Sequence, residues 1–187
     1  MLTAPNIITF VRLLLVPAMV YLLLEGRYGA ALAVFVSAAV SDVIDGFLAR
    51  RFQQQSYLGA VLDPAADKLM VVCTAVTLTT LKLLPVWVAA AVVLRDVVIV
   101  AGFFAYRWLR GHVEMTPTLL GKLNTGLVFG VFTLVLANAA GLVDASGWLL
   151  LPYVVLVASI VASGLHYVWV WSAKAAHTER SHQGTSK

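Results

Sequence analysis

Between Asp42 and Asp67 the chain reads DVIDGFLARRFQQQSYLGAVLDPAAD, which brings four aspartates into one short segment. Asp42 and Asp45 are three apart, and Asp63 and Asp67 are four apart. On helices each pair stands on one face at successive turns. If the polar linker between the pairs folds two helices side by side, four carboxylates converge. Ionised carboxylates at such range repel, so protons or cations must sit among them. Hard oxygen donors suit Mg²⁺ or Mn²⁺ rather than zinc, because the segment contains no His or Cys. Three uses fit the cluster: divalent-metal catalysis, a cation path, or an interfacial structural role. Gly46 and Ala49 lie on or beside the acidic face and leave room for a ligand. Arg50 adds a guanidinium suited to phosphate, which a cation path does not need at its mouth.

The elements that must position these groups are strongly apolar. Of 187 residues, 61% are hydrophobic and only 12% charged, with a mean hydropathy of +0.91. That balance excludes an ordinary soluble domain and predicts an all-α integral membrane protein. Six apolar stretches, near 7–25, 29–49, 60–82, 86–107, 119–140 and 148–172, each supply on the order of 20 residues, enough for about 30 Å of hydrocarbon. Glu25-Gly26-Arg27, the polar run 50–56, Leu84-Pro85, the segment 110–118 and the segment 141–147 separate them. The expected organisation is one six-helix membrane domain over 1–176 and a polar, disordered tail over 177–187. No positive segment precedes the first apolar run and Arg12 interrupts it, so a cleaved signal peptide is not expected. Pro17 is expected to kink the first helix. Cys73, the single cysteine, reads as a small apolar helix residue. His112, His177 and His182 read as solvated, and His166 as part of an interfacial aromatic belt with Tyr167, Trp169 and Trp171.

Six spans put both termini on the side of the loops near 50–57 and 107–118. That side holds Arg50, Arg51, Arg107, Arg110, Lys174, Arg180 and Lys187, against Arg27 and Lys82 opposite. Positive charge marks the cytoplasmic side, so both termini and the aspartates are expected there. The net charge of +4 suits anionic lipid headgroups better than nucleic acid.

The segment fits D-x2-D-G-x2-A-R-x8-G-x3-D-x3-D at Asp42, Asp45, Gly46, Ala49, Arg50, Gly59, Asp63 and Asp67. In this it resembles the signature of the CDP-alcohol phosphotransferases, and the six-span pattern extends the resemblance over the chain except its tail. The resemblance implies two divalent cations held by Asp42, Asp45, Asp63 and Asp67, a bound CDP-linked alcohol, and a homodimer. It makes Asp67 the general base, gives Arg50 the pyrophosphate, and lets the nucleotide lie against Gly46, with Ala49, Ser56 and Gly59 also on the CDP-diacylglycerol side. It assigns Asn6 and Thr9, in PNIITFVR, to the cytidine pocket, although Asn6 also reads as a helix N-cap. Arg12, a turn deeper, is expected to pair with an acid or a lipid phosphate. A bacterial inner membrane, with the site facing the cytoplasm, is the implied location.

For the acceptor alcohol the remaining basic residues are Lys68, Arg95, Arg107, Arg110 and Lys122. LRDVVIVAGFFAYR and PTLLGKLNTG are similar to the matching segments of eukaryotic-type cardiolipin synthases, which join CDP-diacylglycerol to phosphatidylglycerol. The related phosphatidylglycerophosphate synthases, which use glycerol 3-phosphate, share much of SDVIDGFLARRF but have Arg-Glu where this chain has Arg95-Asp96. The segment 107–118 is shorter than in mitochondrial cardiolipin synthases. The expected acceptor is phosphatidylglycerol, with Arg95 and Lys122 beside it. Glycerol 3-phosphate is the alternative, and a non-enzymatic cation carrier is the rival of another class. Arg95-Asp96 also reads as a self-neutralising structural pair, and Lys122 as a lysine snorkelling to the interface.

Overall fold

Each apolar run becomes one helix. The structure, a computed structural model, describes the backbone over residues 4–52, 57–110 and 119–164, and side chains over 13–41, 68–101 and 123–164 with Val11 and Gly121. The helices are α1 (Ala4–Leu24), α2 (Tyr28–Phe52), α3 (Tyr57–Thr80), α4 (Val86–Arg110), α5 (Leu119–Ala139) and α6 over 150–164. Among the described residues there is no strand; the fold is all-α. Two helices outrun the sequence reading, since α2 continues through Arg50 and Arg51 to Phe52 and α4 continues to Arg110. Arginine is a good helix former with a long stem, so a charged pair ends an apolar run without ending the helix. Helix α1 spans Pro17. Ser56, the tail 177–187 and all four histidines lie outside the described residues.

Three helices end in the same way. Gly26 and Gly141 have φ of 70° and 72°, and Lys82 has φ of 60°. After α1, the Gly26 amide donates to the Leu23 carbonyl (3.1 Å) and the Arg27 amide to Leu22 (2.9 Å). After α3, Lys82 donates to Thr79 (3.0 Å) and Leu83 to Leu78 (2.9 Å). After α5, Gly141 donates to Asn138 (3.1 Å) and Leu142 to Ala137 (3.0 Å). This is the Schellman pattern, which satisfies terminal carbonyls through one left-handed residue. Glycine takes that conformation without steric cost; Lys82 does not.

Helix α1 packs on α2 and α3, α2 on α5, and α3 on α4. The core runs through Met19 and Leu23 of α1, Phe35 of α2, Met70 and Leu78 of α3, Val88 and Val92 of α4, Phe132 and Leu136 of α5, and Leu156 of α6. Phe35 meets Phe129 and Phe132 with ring centroids 5.2 and 6.2 Å away. Trp87 and Tyr153 meet edge to face at 6.3 Å, tying α6 to the start of α4. Thr74, Thr77 and Thr79 turn their hydroxyls onto the carbonyls of Met70, Cys73 and Ala75, so polar atoms in an apolar helix stay paired. Cys73 is a free, partly buried thiol.

The outward faces are apolar too, with Leu14, Tyr21, Val40, Val76, Leu94, Leu123, Leu150 and Val161 among many exposed. Helices of 21 to 25 residues are about 31–37 Å long at 1.5 Å per residue. Among the described residues no helix is long and apolar enough to cross a membrane; within each of α1 to α5 the run of described side chains is shorter than the helix that carries it.

Candidate active site

Helix register brings the motif positions to one end of the bundle. The Thr74 hydroxyl oxygen, whose proton goes to the Met70 carbonyl, lies 3.6 Å from Met19 Sδ, a contact that fixes the level of α3 against α1. Counting back from that contact at 1.5 Å per residue, Thr9 lies about 15 Å below Met19, and Asp63 about 17 Å below Thr74. Helix α2 turns back on α1 through the short connection at 25–27. The same count from that turn puts Asp42 and Asp45 at a comparable depth, about 14–18 Å below Met19. Asp42, Asp45, Gly46, Ala49 and Arg50 thus occupy the second half of α2, and Gly59, Asp63 and Asp67 the first half of α3. Asn6, Thr9 and Arg12 stand on the opening turns of α1, which packs on both. Lys122 is on the first turn of α5. The side chains of all these residues lie outside the described set.

Of the sequence-derived site residues, Arg95 is the one whose side chain is described, and its neighbourhood differs from a self-neutralising pair. Arg95 Nη1 donates to Asp96 Oδ1 at 2.8 Å. Lys68 Nζ, from α3, reaches the same oxygen at 3.0 Å. Two cations share one carboxylate, leaving a net positive group rather than a neutral one. Arg95 Nη2 makes a longer contact of 3.4 Å with the Gly121 carbonyl of α5. The group therefore ties α3, α4 and α5 together. Asp96 is buried, and the Arg95 side chain is only 14% exposed, against 37% for Lys68. Burying a carboxylate is costly unless it is paired and hydrogen-bonded.

Among the described residues, two buried side-chain donors stay unused. Arg95 Nε and Asn124 Nδ2 are buried without a hydrogen-bond partner. Asn124 is fully buried on α5, one turn beyond Gly121, and its Oδ1 meets the Ser159 hydroxyl of α6 at 3.5 Å. Buried amide donors are nearly always paired, so Asn124 Nδ2 is an exception in this interior. The sequence reading missed Asn124, Ser159 and the Lys68–Asp96 contact. An asparagine inside an apolar helix was the available signal.

Among the described residues no group of three or more His, Cys, Asp and Glu side chains is placed to hold a metal ion. The donor chemistry of the motif nevertheless fits a hard divalent cation, with four carboxylate positions within about 8 Å of helix axis on two helices that flank α1.

The family model for CDP-alcohol phosphatidyltransferase matches residues 2–173. The chain belongs to that family. It is an enzyme of phospholipid biosynthesis, from a family of membrane-bound lipid synthases. It is 37% identical over 154 residues to a protein of Streptomyces coelicolor named cardiolipin synthase (CMP-forming), covering 79% of this chain and 69% of that one. The human protein of the same name is 33% identical over 141 residues, covering 67% of this chain and 47% of the relative. A putative cardiolipin synthase of Mycobacterium tuberculosis is 36% identical over 153 residues, covering 79% and 73%. The matched part thus spans less than half of the human relative and about two thirds or more of the bacterial ones.

Proposed function

We propose that this CDP-alcohol phosphatidyltransferase is a cardiolipin synthase of the CMP-forming type, transferring the phosphatidyl group of CDP-diacylglycerol to phosphatidylglycerol. The observation that carries this reading is the complete eight-position motif on α2 and α3, whose register sets it level with the start of α1. The similarity to relatives named cardiolipin synthase supports the choice of acceptor.

The reaction has three requirements: shielding the pyrophosphate, stabilising the leaving phosphate, and removing the acceptor's proton. Asp42, Asp45, Asp63 and Asp67 would hold two divalent cations, Mg²⁺ or Mn²⁺. Bound there, the cations neutralise the pyrophosphate and the charge that develops on CMP. Arg50 binds a pyrophosphate oxygen through a charge-assisted contact. Gly46 and Ala49 leave space for the nucleotide, and Asn6, Thr9, Ser56 and Gly59 line its approach. Asp67 takes the proton of the acceptor hydroxyl. The hydroxyl oxygen then bonds to the lipid-side phosphorus while the bond from that phosphorus to the CMP oxygen breaks. Arg95 and Lys122 face the phosphodiester of phosphatidylglycerol.

We also read the six helices as transmembrane, with both termini and the motif at the cytoplasmic face of a bacterial inner membrane, and the working unit as a homodimer. Supporting this are the helix lengths, the apolar outward faces and the crowding of arginines at the motif end of the bundle. The test is an acceptor panel: purified protein, labelled CDP-diacylglycerol and a divalent cation with phosphatidylglycerol, glycerol 3-phosphate, inositol phosphate or serine. Cardiolipin as the main product supports the reading. Phosphatidylglycerophosphate as the main product transfers the assignment to the glycerol 3-phosphate branch.

A further inference from the structure

Asp96 carries no role in the chemistry above, yet it is the point at which three helices meet. Its Oδ1 receives Lys68 from α3 and Arg95 from α4, and Arg95 in turn leans on the Gly121 carbonyl of α5. Lys68 follows Asp67 directly in α3, so a tether on Lys68 is a tether on the turn that carries Asp67. Arg95 is held along one side of its guanidinium by Asp96, at Nη1, while Nη2 reaches Gly121. Its Nε remains a buried donor without a partner.

We infer that Asp96 is a positioning residue for phosphatidyl transfer. Through Lys68 it sets the place of the α3 turn bearing Asp67, and through Arg95 it orients a guanidinium toward the acceptor's phosphate. This inference rests on the proposed phosphatidyl-transfer site but not on which alcohol is the acceptor. Removing the charge of Asp96 leaves two cations facing one another with no anion between them, which is unfavourable in a buried setting. Lys68, the more exposed of the two, is the one able to swing away, releasing the α3 turn. Arg95, largely enclosed, stays buried but loses its fixed orientation. The consequence falls more heavily on turnover and on the acceptor than on CDP-diacylglycerol, because Arg50 and the α2 carboxylates, away from Asp96, also hold that substrate.

The test is a double-mutant cycle on the full-length protein in detergent, with Asp96→Asn, Lys68→Met and the pair. Turnover is read as CMP release, and CDP-diacylglycerol affinity is read by direct binding. Asp96→Asn should lower kcat on the order of tenfold to a hundredfold, the scale of a displacement of about 1 Å at a reacting group. It should also raise KM for the acceptor by a larger factor than it weakens CDP-diacylglycerol binding. Lys68→Met should reproduce the kcat defect, the pair should be no worse than the worse single variant, and Asp96→Glu should restore part of the activity. Thermal unfolding of each variant keeps a folding defect distinct from a positioning one, and a folded Lys68→Met decides the matter if Asp96→Asn does not fold. Additive losses, equal weakening of both substrates, or normal kcat in a folded Lys68→Met would overturn the inference. If phosphatidylglycerol fails as acceptor for the wild-type protein, the same cycle is run with the alcohol that does release CMP. A failed choice of acceptor is thereby separated from a failed role for Asp96.

Discussion

Lys68 Nζ of α3 and Asp96 Oδ1 of α4 lie 3.0 Å apart. Lys68 sits one residue beyond Asp67, the last carboxylate of the motif, so this contact joins the motif helix to the arginine-bearing helix α4. A pair that looks self-sufficient in sequence, Arg95 followed by Asp96, is part of a larger group with an excess positive charge. That excess suits an anionic lipid substrate better than a purely structural ion pair does.

Activity should require the carboxylates and a divalent cation together. Replacing Asp42, Asp45 or Asp63 by Asn should abolish CMP release while the protein remains folded in detergent, and chelation of divalent cations should do the same reversibly. Near-normal turnover by Asp63→Asn at saturating substrate contradicts the metal assignment. Metal flux into liposomes without any dependence on CDP-diacylglycerol supports the carrier alternative.

Nucleotide binding and proton removal should separate. Arg50→Ala should weaken CDP-diacylglycerol binding by about 1.5–3 kcal/mol, the usual worth of a hydrogen bond to a charged group. Asp67→Asn should keep much of that binding but lose turnover, because the acceptor hydroxyl retains its proton. The check is a binding isotherm beside a steady-state rate for each variant. Equal loss of binding in both, with no separate chemical defect, reduces Asp67 to a metal ligand.

Most of the helical plan was legible in the sequence, because uninterrupted apolar runs of about 20 residues have few other outcomes. Glu25-Gly26-Arg27 and Leu84-Pro85 gave two of the boundaries directly. The ends of α2 and α4 were not legible: arginines at 50, 51, 107 and 110 read as a break, whereas their long stems let the helix continue. That the aspartates fall as one pair on α2 and one pair on α3 was legible from their spacing, since three- and four-residue intervals share a helix face. The Lys68–Asp96 contact was not, because it joins residues of different helices and depends on how α3 and α4 pack. Asn124 passed unnoticed for a similar reason; its significance lies in an unpartnered amide that only burial reveals.

The acceptor site should respond separately from the nucleotide site. Lys122→Ala should raise the apparent KM for phosphatidylglycerol several times more than that for CDP-diacylglycerol, as expected for the loss of one cation facing a single diester charge. Initial rates with each substrate varied in turn provide the check. Equal changes for the two substrates remove Lys122 from the acceptor side.

The helix ends make a prediction independent of chemistry. Gly141→Ala forces a side chain into a left-handed conformation, so it should destabilise the bundle by about 1–2 kcal/mol. Lys82→Gly should stabilise it by about 1 kcal/mol, because glycine relieves the same strain at the end of α3. Thermal unfolding in one detergent gives both values, and opposite signs from those stated contradict the assigned end geometry.

The central claim is tested most directly by product stoichiometry. Purified protein is given phosphatidylglycerol, CDP-diacylglycerol labelled in both the cytidine and the acyl chains, and Mg²⁺ or Mn²⁺; CMP and cardiolipin are then counted in the same samples. The account predicts one cardiolipin for each CMP released, with neither formed when the divalent cation is withheld. CMP release without cardiolipin, or labelled phosphatidylglycerophosphate formed only on addition of glycerol 3-phosphate, would contradict it.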